Sequence, residues 1–268
     1  MGALDGRVAL VTGAGRRRGI GRATAVALAE LGADVVVTGT GRDPATFPED
    51  EKQIGWRDIE TTAEQIRTHG RRALTWVGDV SRAEAARQLV DLTVQTFGRV
   101  DVLVNNAAYP RGNDRVALPD LDEAVWRKVL DVKLTGTFLL CQNIVPIMLR
   151  QRWGRIINLS SVLGKHGAPN TTAYCTANFG IQGFTQALAM EVARHGITVN
   201  AVCPGAVDTA RMDVLGRGEV WQQQLEAIPM GRAASDEEVA GLIGFLCSPA
   251  AAYMTGQSIN IDGGMVMW

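Results

Sequence analysis

The chain of 268 residues has a formal net charge of −1, so it suits one large domain and lacks the basic excess expected for binding nucleic acid or an anionic membrane. No apolar run approaches the ~20 residues of a membrane-spanning helix, and the four cysteines and three histidines lack the spacing of a disulfide framework or a metal site. We therefore expect a cytoplasmic protein with reduced thiols and no bound metal.

The chain opens with the pattern of a strand, a glycine-rich turn and a helix. The β-branched run Arg7–Thr12 leads into Gly13-Ala-Gly-Arg-Arg-Arg-Gly-Ile-Gly21, and a helical pattern follows as far as Gly32. A second strand is predicted over Ala33–Thr38. Glycines between a strand and a helix let the backbone approach a pyrophosphate at the helix N-terminus, so this unit predicts nucleotide binding.

Strands and helices continue to alternate through the middle of the chain. Residues 38–57 are rich in glycine and proline and are predicted to form a long surface loop. A strand over Ala73–Val77 follows, and then a helix with a capping-box start at Ser81. The fourth strand is predicted over Val100–Ala108 and runs into a polar end.

The next stretch is the one that we expect to carry the chemistry. An apolar-periodic pattern over Leu121–Arg150 predicts a long helix, and the run Arg155–Ser160 predicts a buried parallel strand. A loop then leads from Ser161 to a helix that starts near Ala173 and contains Tyr174. Because ligands of open α/β sheets bind at the carboxyl ends of the strands, Ser161 and Tyr174 are expected to face one crevice.

The last third of the chain completes the alternation. A sixth strand is predicted over Ile197–Cys203, a mobile substrate flap over 210–232, a helix capped by Ser235 and a last strand over Ser258–Ile261. This pattern predicts an α/β fold, namely a single Rossmann-like, doubly wound parallel sheet of about seven strands with helices on both faces. Residues 1–268 are predicted to form one dinucleotide-binding and catalytic domain.

Five short motifs together resemble the short-chain dehydrogenase/reductase family, and the resemblance extends over essentially the whole chain. They are Thr12-Gly13 with Gly19-Ile20-Gly21, Asp79-Val80, Asn105-Asn106-Ala107-Ala108, Ser161 with Tyr174 thirteen residues later, and Pro204-Gly205 with Thr209. The resemblance implies a Rossmann-like domain, a homotetramer or homodimer, and reversible hydride transfer between a nicotinamide cofactor and a carbonyl/alcohol pair.

The resemblance also assigns roles to single residues. Tyr174 is the implied proton donor or acceptor, and Ser161 is the implied hydrogen-bond partner of the substrate oxygen. The implied contacts are Gly13, Gly19, Ile20 and Gly21 for the pyrophosphate, Asp79 and Val80 for the adenine, and Asn106 and Ala107 for the adenosine ribose. Val207 and Thr209 are implied to hold the carboxamide of the nicotinamide, and the further cofactor contacts are Pro204, Gly205 and Tyr174.

The chain departs from the family pattern in its glycine turn and in two catalytic positions. Five residues rather than three separate Gly13 from Gly19, so the turn is two residues longer. The family has a lysine four residues after the tyrosine, where this chain has Asn178. It has an asparagine on the preceding long helix, where this chain has Lys133. The two residue types have therefore changed places between two helices that, as the resemblance implies, meet behind the tyrosine.

We interpret this exchange as a rearranged catalytic tetrad, Lys133–Ser161–Tyr174–Asn178. A phenol has an ordinary pKa near 10, so it needs a nearby cation to act as an acid–base group at neutral pH. Lys133 could bring an ammonium to that pocket on its flexible stem, and Asn178 could bind a cofactor ribose hydroxyl. The alternatives are a solvated Lys133 and an Asn178 that is only a polar helix residue.

The charges near the second strand favour NADP(H), with NAD(H) as the alternative. The acid that NAD-binding members place after this strand would stand at Gly39, which has no side chain. Arginine suits a phosphate because it can donate two parallel hydrogen bonds. Asp43, which is next to Arg42, instead favours NAD(H). The expected contacts at this end are Arg16, Arg18, Thr40 and Arg42.

We therefore predict an oxidoreductase that transfers a hydride between NADP(H) and a ketone or secondary alcohol, with Tyr174 as proton donor or acceptor. A mostly apolar substrate is expected from the apolar residues of the flap, which are Met212, Val214, Leu215, Trp221, Leu225 and Ile228. Two alternatives stay open. One is non-redox acid–base chemistry on a carbonyl compound, such as carbon–carbon cleavage, hydrolysis or dehydration, and the other is a catalytically inactive cofactor-binding protein.

Overall fold

A parallel sheet of seven strands forms the centre of the protein in the computed structural model, which describes residues 2–268. The strand order is 3-2-1-4-5-6-7, and all neighbouring strands are parallel. The strands are β1 Val8–Val11, β2 Asp34–Gly39, β3 Ala73–Val77, β4 Val102–Asn105, β5 Gly154–Leu159, β6 Ile197–Pro204 and β7 Ser258–Ile261. The predicted α/β fold with a doubly wound sheet is confirmed.

Helices cover both faces of the sheet. They are α1 Ile20–Glu30, α2 Glu49–Gln53, α3 Ile59–Thr68, α4 Ala83–Phe97, α5 Glu123–Leu130, α6 Gly136–Gln151, α7 Thr172–Val192, α8 Glu219–Glu226 and α9 Asp236–Cys247. One apolar core lies under α1, α3 and α9, and a second lies under α4, α6 and α7. Because both faces are buried, strands such as β1 and β4 are continuous apolar runs without alternation.

The strand order determines where a ligand can bind. Strands β2 and β3 lie on one side of β1, whereas β4, β5, β6 and β7 lie on the other side. The two connections therefore diverge and leave a crevice at the carboxyl ends of β1 and β4, which is where open parallel sheets bind ligands. The glycine turn, Asn106 and Ser161 follow β1, β4 and β5 and meet at this edge.

The helix predicted over Leu121–Arg150 consists of three segments. α5 leads into a π-helical turn, Asp131–Thr135, and α6 continues from it. Such turns are frequent at functional sites, and this one contains Lys133. Contrary to the expectation from the sequence, the continuous stretch Glu123–Gln151 is long and apolar enough to cross a membrane, because a window of 18 residues within it has a mean hydropathy of 1.4. Apolar residues of its α6 part, such as Leu140, Ile144 and Met148, pack into the second core, as those of a core helix do.

Two predicted capping boxes have different outcomes. The Ser235 hydroxyl accepts the N–H of Glu238 at 3.1 Å, and the Glu238 carboxylate accepts the N–H of Ser235 at 2.8 Å, so this box is confirmed. The start at Ser81 is wrong, because its hydroxyl donates to the Asp79 carboxylate at 2.6 Å and α4 begins at Ala83. The hydroxyl of Ser81 therefore bonds to the carboxylate of Asp79 and does not cap the helix.

Candidate functional site

Two adjoining cavities form one groove at the carboxyl edge of the sheet. We call the first, of about 430 Å³, the tyrosine cavity, because Ser161 and Tyr174 line it. The second, of about 590 Å³, is the glycine cavity, because the glycine turn lines it. The two cavities share the lining residues Ile20, Asn106, Ala108, Arg111, Thr209 and Arg211. The groove is therefore continuous, and its volume is in the range of ligand pockets.

Every residue that was predicted to contact the cofactor lines this groove. The glycine cavity contains Gly13, Arg16, Arg18, Gly19, Ile20, Gly21, Thr40, Arg42, Asp79, Val80, Asn106 and Ala107. The tyrosine cavity contains Tyr174, Pro204, Gly205, Val207 and Thr209. The predicted set thus runs from one end of the groove to the other.

The glycine turn has the shape that a dinucleotide requires. Gly13 has a φ of +68°, and a Cβ at that position would lie 3.1 Å from the Cα of Ala107. A Cβ at Gly21 would lie 2.4 Å from the carbonyl oxygen of Gly13. The Asn106 amide ties the turn to β4 by donating to the carbonyls of Thr12 and Gly13 at 2.8 and 3.0 Å. The turn and the start of α1 therefore fit the pyrophosphate of a nicotinamide cofactor.

Two of the arginines predicted to hold a phosphate are paired with carboxylates. Arg42 donates to Glu51 at 2.9 Å and to Asp58 at 3.0 Å, and Glu51 is only 1% exposed. Arg18 donates to Asp213 at 2.5 Å. Arg42 also donates to the carbonyl of Gly15 at 2.9 Å, which joins the segment 38–57 to the glycine turn. That segment was predicted as a surface loop but contains α2. The Arg18 pair joins the turn to the flap, so both arginines have structural partners before any ligand binds.

Arg16 and Asp58 are the other charges at this end. Arg16 makes no hydrogen bond to a carboxylate within residues 2–268; burial, assisted by repulsion from Arg42, lowers its pKa. Asp58 was not predicted to belong to the site, because nothing in the sequence indicates that an acid at the end of a long loop lies close to β2. A Cβ at Gly39 would lie 3.5 Å from its Oδ2 atom, so Asp58 brings a carboxylate close to the position of the family's acid.

Asp79 is held as a carboxylate at the side of the glycine cavity. Burial raises its pKa, but hydrogen bonds from Lys128 and Ser81, both at 2.6 Å, outweigh burial and lower the pKa to about 2. The charge of Asp79 is therefore compensated within the protein, which suits a residue beside an uncharged adenine ring.

Ser161 has a hydroxyl proton that is free for a ligand, whereas Ser160 does not. The Ser161 oxygen accepts the N–H of Leu163 at 3.1 Å, and this leaves its own proton uncommitted. The Ser160 hydroxyl donates to the carbonyl of Asn178 at 3.0 Å. Both serines line the tyrosine cavity, so hydrogen bonding rather than exposure distinguishes them.

Tyr174 lies in the first turn of α7, close to positive charges that the sequence did not point to. The guanidinium carbon of Arg115 lies 3.8 Å from the ring centroid, and that of Arg211 lies 5.5 Å from it. Cations near an aromatic ring and the N-terminal end of a helix both stabilise negative charge on the phenolic oxygen. Arginines in a loop and a flap are usually solvated, so their spacing alone could not have indicated this contact.

The structure buries Lys133 and places it on the wall of the tyrosine cavity. The residue is 6% exposed, which contradicts the alternative of a solvated lysine. Burial, followed by repulsion from Arg211, lowers the pKa of the amine from 10.5 to about 7, while Cys203 opposes the shift. Lys133 therefore changes its charge near neutral pH.

Asn178 is placed differently from the other three members of the predicted tetrad. It is fully buried and lines neither cavity. Its amide nitrogen donates to the backbone carbonyl of Tyr174 at 2.8 Å, and its Oδ1 atom has no hydrogen-bond partner within residues 2–268. In this arrangement Asn178 does not reach a ribose, but it keeps a buried acceptor available one helical turn after Tyr174.

The apolar residues of the flap mostly lie away from the tyrosine cavity. The flap contains a short 3-10 helix, Ala210–Leu215, followed by α8. Trp221 and Ile228 are 5% and 2% exposed and pack inside the protein. Of the six apolar residues, only Met212 lines the tyrosine cavity. Their placement therefore gives no support for a mostly apolar substrate.

Comparison with known proteins gives matches over nearly the whole chain. The family model described as Enoyl-(Acyl carrier protein) reductase matches residues 13–266. The chain is 42% identical over 271 residues to a 3-oxoacyl-(acyl-carrier-protein) reductase of Synechocystis, covering 100% of both proteins. It is 40% identical to 3-oxoacyl-(acyl-carrier-protein) reductase FabG of Aquifex aeolicus, covering 98% of each.

A solved structure agrees with these relatives. A putative short-chain alcohol dehydrogenase from Sinorhizobium meliloti is 38% identical and superposes with a TM-score of 0.86, covering 98% of this chain and 97% of that chain. The matched regions include the glycine turn, Ser161 and Tyr174, which the fold brings into one groove. The chain therefore belongs to the short-chain dehydrogenase/reductase family and is an NAD(P)-dependent reductase.

Proposed function

We propose that the protein reduces a ketone, or oxidises the corresponding secondary alcohol, with NADP(H) as its cofactor. The observation that carries the proposal is that Ser161, Tyr174 and Lys133 line one cavity, which continues into the glycine cavity. The printed names of the relatives, which are 3-oxoacyl reductases, support ketone reduction. A nicotinamide bound in this groove would supply or accept the hydride.

Ser161 orients the substrate carbonyl. Because its oxygen already accepts the N–H of Leu163, its proton is available for donation to the substrate oxygen. A donor that is fixed in this way stabilises the negative charge that develops on that oxygen during reduction.

Tyr174 donates its phenolic proton to the same oxygen during reduction and accepts it during oxidation. The phenolate that results is stabilised by Arg115, whose guanidinium lies over the ring. The first turn of the 21-residue helix α7 adds the positive end of its dipole. The tyrosine therefore does not depend on one cation.

Lys133 supplies the proton that restores Tyr174 after turnover. An amine that titrates near pH 7 can both hold and release a proton under physiological conditions. Asn178 completes the rearranged tetrad as a positioning residue, since its Oδ1 is a buried acceptor that a hydrogen-bond donor would satisfy.

Arg16 is the principal contact that we propose for the extra phosphate of NADP(H). Of the three arginines predicted to contact this phosphate, Arg16 is the one that makes no hydrogen bond to a carboxylate within residues 2–268, and Arg18, Thr40 and Arg42 line the same end. Asp58 is the residue that would favour NAD(H), because a carboxylate near Gly39 can accept hydrogen bonds from ribose hydroxyls.

The test is the consumption of NADPH and NADH, followed by absorbance, with a panel of ketones. We expect turnover with a higher kcat/KM for NADPH. Product formation without added cofactor would instead support the non-redox alternative. We also propose a cytoplasmic homotetramer or homodimer, and light scattering of the purified protein would measure its assembly.

A further inference from the structure

We propose that the natural substrate carries a carboxylate next to its ketone, as a short 2-oxo or 3-oxo acid does. This inference rests on the proposed ketone reduction and names its substrate class. It starts from the charges of the tyrosine cavity, whose lining includes Arg111, Arg115, Lys133 and Arg211. Within residues 2–268, no aspartate or glutamate lines this cavity. The cavity thus has a strong positive charge although the whole chain is nearly neutral.

Arg111, Arg115 and Arg211 have N–H groups for which residues 2–268 provide no hydrogen-bond acceptor. Asp114 is the carboxylate that pairs with Arg115, and it is 1% exposed. Arg211 donates from Nη1 to the carbonyl of Tyr109, but its Nη2 is buried without a partner, as is the Nε of Arg115. Arg111 forms no hydrogen bond or ion pair with the described residues. Buried donors normally have acceptors, so this cluster is suited to an anion that the protein itself does not supply.

The positive charges also repel one another. Burial lowers the pKa of Arg111, and the charge of Arg211 lowers it further. Burial is also the main cause that lowers the pKa of Arg115, with Asp114 opposing and the other two arginines contributing. Arg211 likewise lowers the pKa of Lys133. The folded protein therefore holds like charges together at a cost in free energy, and a bound anion would remove that cost.

The position of Arg115 indicates how far the anion lies from the reacting carbon. Its guanidinium lies 3.8 Å from the centre of the Tyr174 ring, and Ser161 lines the same cavity. A carboxylate on Arg115 and a carbonyl between Ser161 and Tyr174 must therefore be close in the substrate. Arginine binds a carboxylate through two parallel hydrogen bonds, which would fix the orientation of the ketone.

The cofactor does not account for the whole cluster. Arg111 and Arg211 line both cavities, so they could also face a pyrophosphate, whereas Arg115 lines only the tyrosine cavity. The named substrates of the relatives do not account for it either. In a 3-oxoacyl thioester the group beside the ketone is uncharged, and it would give no anionic acceptor to the unpaired Nε of Arg115 and Nη2 of Arg211.

The test compares three substrates with the same acyl skeleton and NADPH: acetoacetate, its methyl ester and its N-acetylcysteamine thioester. Charge-assisted hydrogen bonds to arginine predict a kcat/KM about 100-fold higher for acetoacetate than for either neutral compound. Equal values, or a preference for the thioester, would overturn the proposal.

The informative variant is Arg111→Leu, because it leaves no carboxylate unpaired, whereas Arg115→Leu would orphan the buried Asp114. Arg111→Leu should lower the preference for acetoacetate over the methyl ester about 10-fold, mainly through a lower kcat/KM for acetoacetate. Arg87→Leu, on the exposed side of α4, is the matched control and should change neither value. A loss of NADPH affinity in Arg111→Leu with an unchanged acid preference would assign the arginine to the cofactor and overturn the proposal.

A second measurement does not depend on turnover. Calorimetric titration of the enzyme–NADP⁺ complex should show binding of malonate and none of malonamide, and the malonate affinity should fall about 10-fold in Arg111→Leu. Malonate binding without reduction of any ketone would support the anion site and reject the proposed function. Ketone reduction without malonate binding would support the proposed function and overturn the anion site.

Discussion

The two ends of the groove differ in how far their arginine and lysine side chains are paired with carboxylates. In the glycine cavity, Arg18 and Arg42 are held by carboxylates of the flap and of the loop over 38–57. In the tyrosine cavity, Arg111 and Lys133 have no carboxylate partner within residues 2–268, and Arg115 shares one carboxylate with a cluster of like charges. The first end uses two of its arginines to fix protein segments and leaves Arg16 unpaired among the described residues, whereas the second keeps most of its charge for a ligand and a proton. Arginines near a predicted phosphate site are therefore not all available to a phosphate.

The largest effect should come from removing the proton donor of the tyrosine cavity. Tyr174→Phe should lower the rate of NADPH-dependent reduction by about 10³-fold, because general acid–base catalysis contributes in this range. Stopped-flow absorbance would give the rate and fluorescence titration the NADPH affinity, which should stay within about twofold. Tyr253→Phe, at a fully exposed tyrosine, is the control. Retention of most of the rate would remove Tyr174 from the mechanism.

The next largest effect should come from Lys133→Met. Loss of a proton relay should lower kcat about 100-fold at neutral pH. The pH profile of kcat for the wild type should have an inflection near pH 7, where Lys133 titrates, and the variant should lack it. Steady-state kinetics over the neutral range measures both. A variant that keeps the inflection would show that Lys133 is a bystander.

The same variant should be more stable than the wild type. The unfolded chain keeps this lysine protonated up to about pH 10.5, whereas the folded chain releases the proton near pH 7. Between these values the unfolded state binds more protons, so wild-type stability rises with pH. The gain from methionine should be about 1–4 kcal/mol at or below pH 7 and shrink towards pH 10. Thermal unfolding of Lys133→Met and of the control Lys52→Met at both pH values measures it, and a gain that does not vary with pH would contradict burial of the amine.

Restoring the family arrangement tests whether the two exchanged residues share one pocket. Lys133→Asn and Asn178→Lys should each lower kcat/KM about 10-fold or more, and the double variant should recover a large part of the loss. The coupling free energy from the four kcat/KM values is the measurement. Additive losses would mean that the residues act independently.

The smallest effects should separate the two roles of arginine in the glycine cavity. Arg16→Ala should weaken NADPH about 10-fold and NADH little, because it removes a free cation. Arg42→Ala should weaken both cofactors alike and lower the melting temperature, since it leaves the buried Glu51 without its cation. Dissociation constants and thermal unfolding distinguish these outcomes. A selective loss of NADPH in Arg42→Ala would assign the phosphate to Arg42.

The sequence predicted the fold and the course of the groove because both follow from local patterns. Continuous apolar runs mark strands that are buried on both faces, and Gly13 and Gly21 stand where only glycine avoids a clash. The placement of Ser161 beside Tyr174 follows from a strand, a loop and a helix in succession. These features need no knowledge of distant contacts.

The charges of the site could not be predicted in the same way. The proximity of Asp58 to Gly39, of Glu51 to Arg42 and of Arg115 to Tyr174 depends on how loops fold back over the sheet. The capping box at Ser81 failed for a local reason instead, since Asp79, two residues earlier, competes for the hydroxyl. Local spacing identifies which residues carry charge but not which charges meet.

The π turn over Asp131–Thr135 has a consequence for how related chains are compared. Such a turn contains one residue more than a regular helix of the same length. Removing that residue would rotate the following helix by about 100° relative to α5 and would turn a different side chain toward the tyrosine cavity. The π turn thus determines which side chains form the wall of the cavity. Two chains with the same sequence over this segment, one with a π turn and one with a regular α-helix, would present different side chains to the substrate.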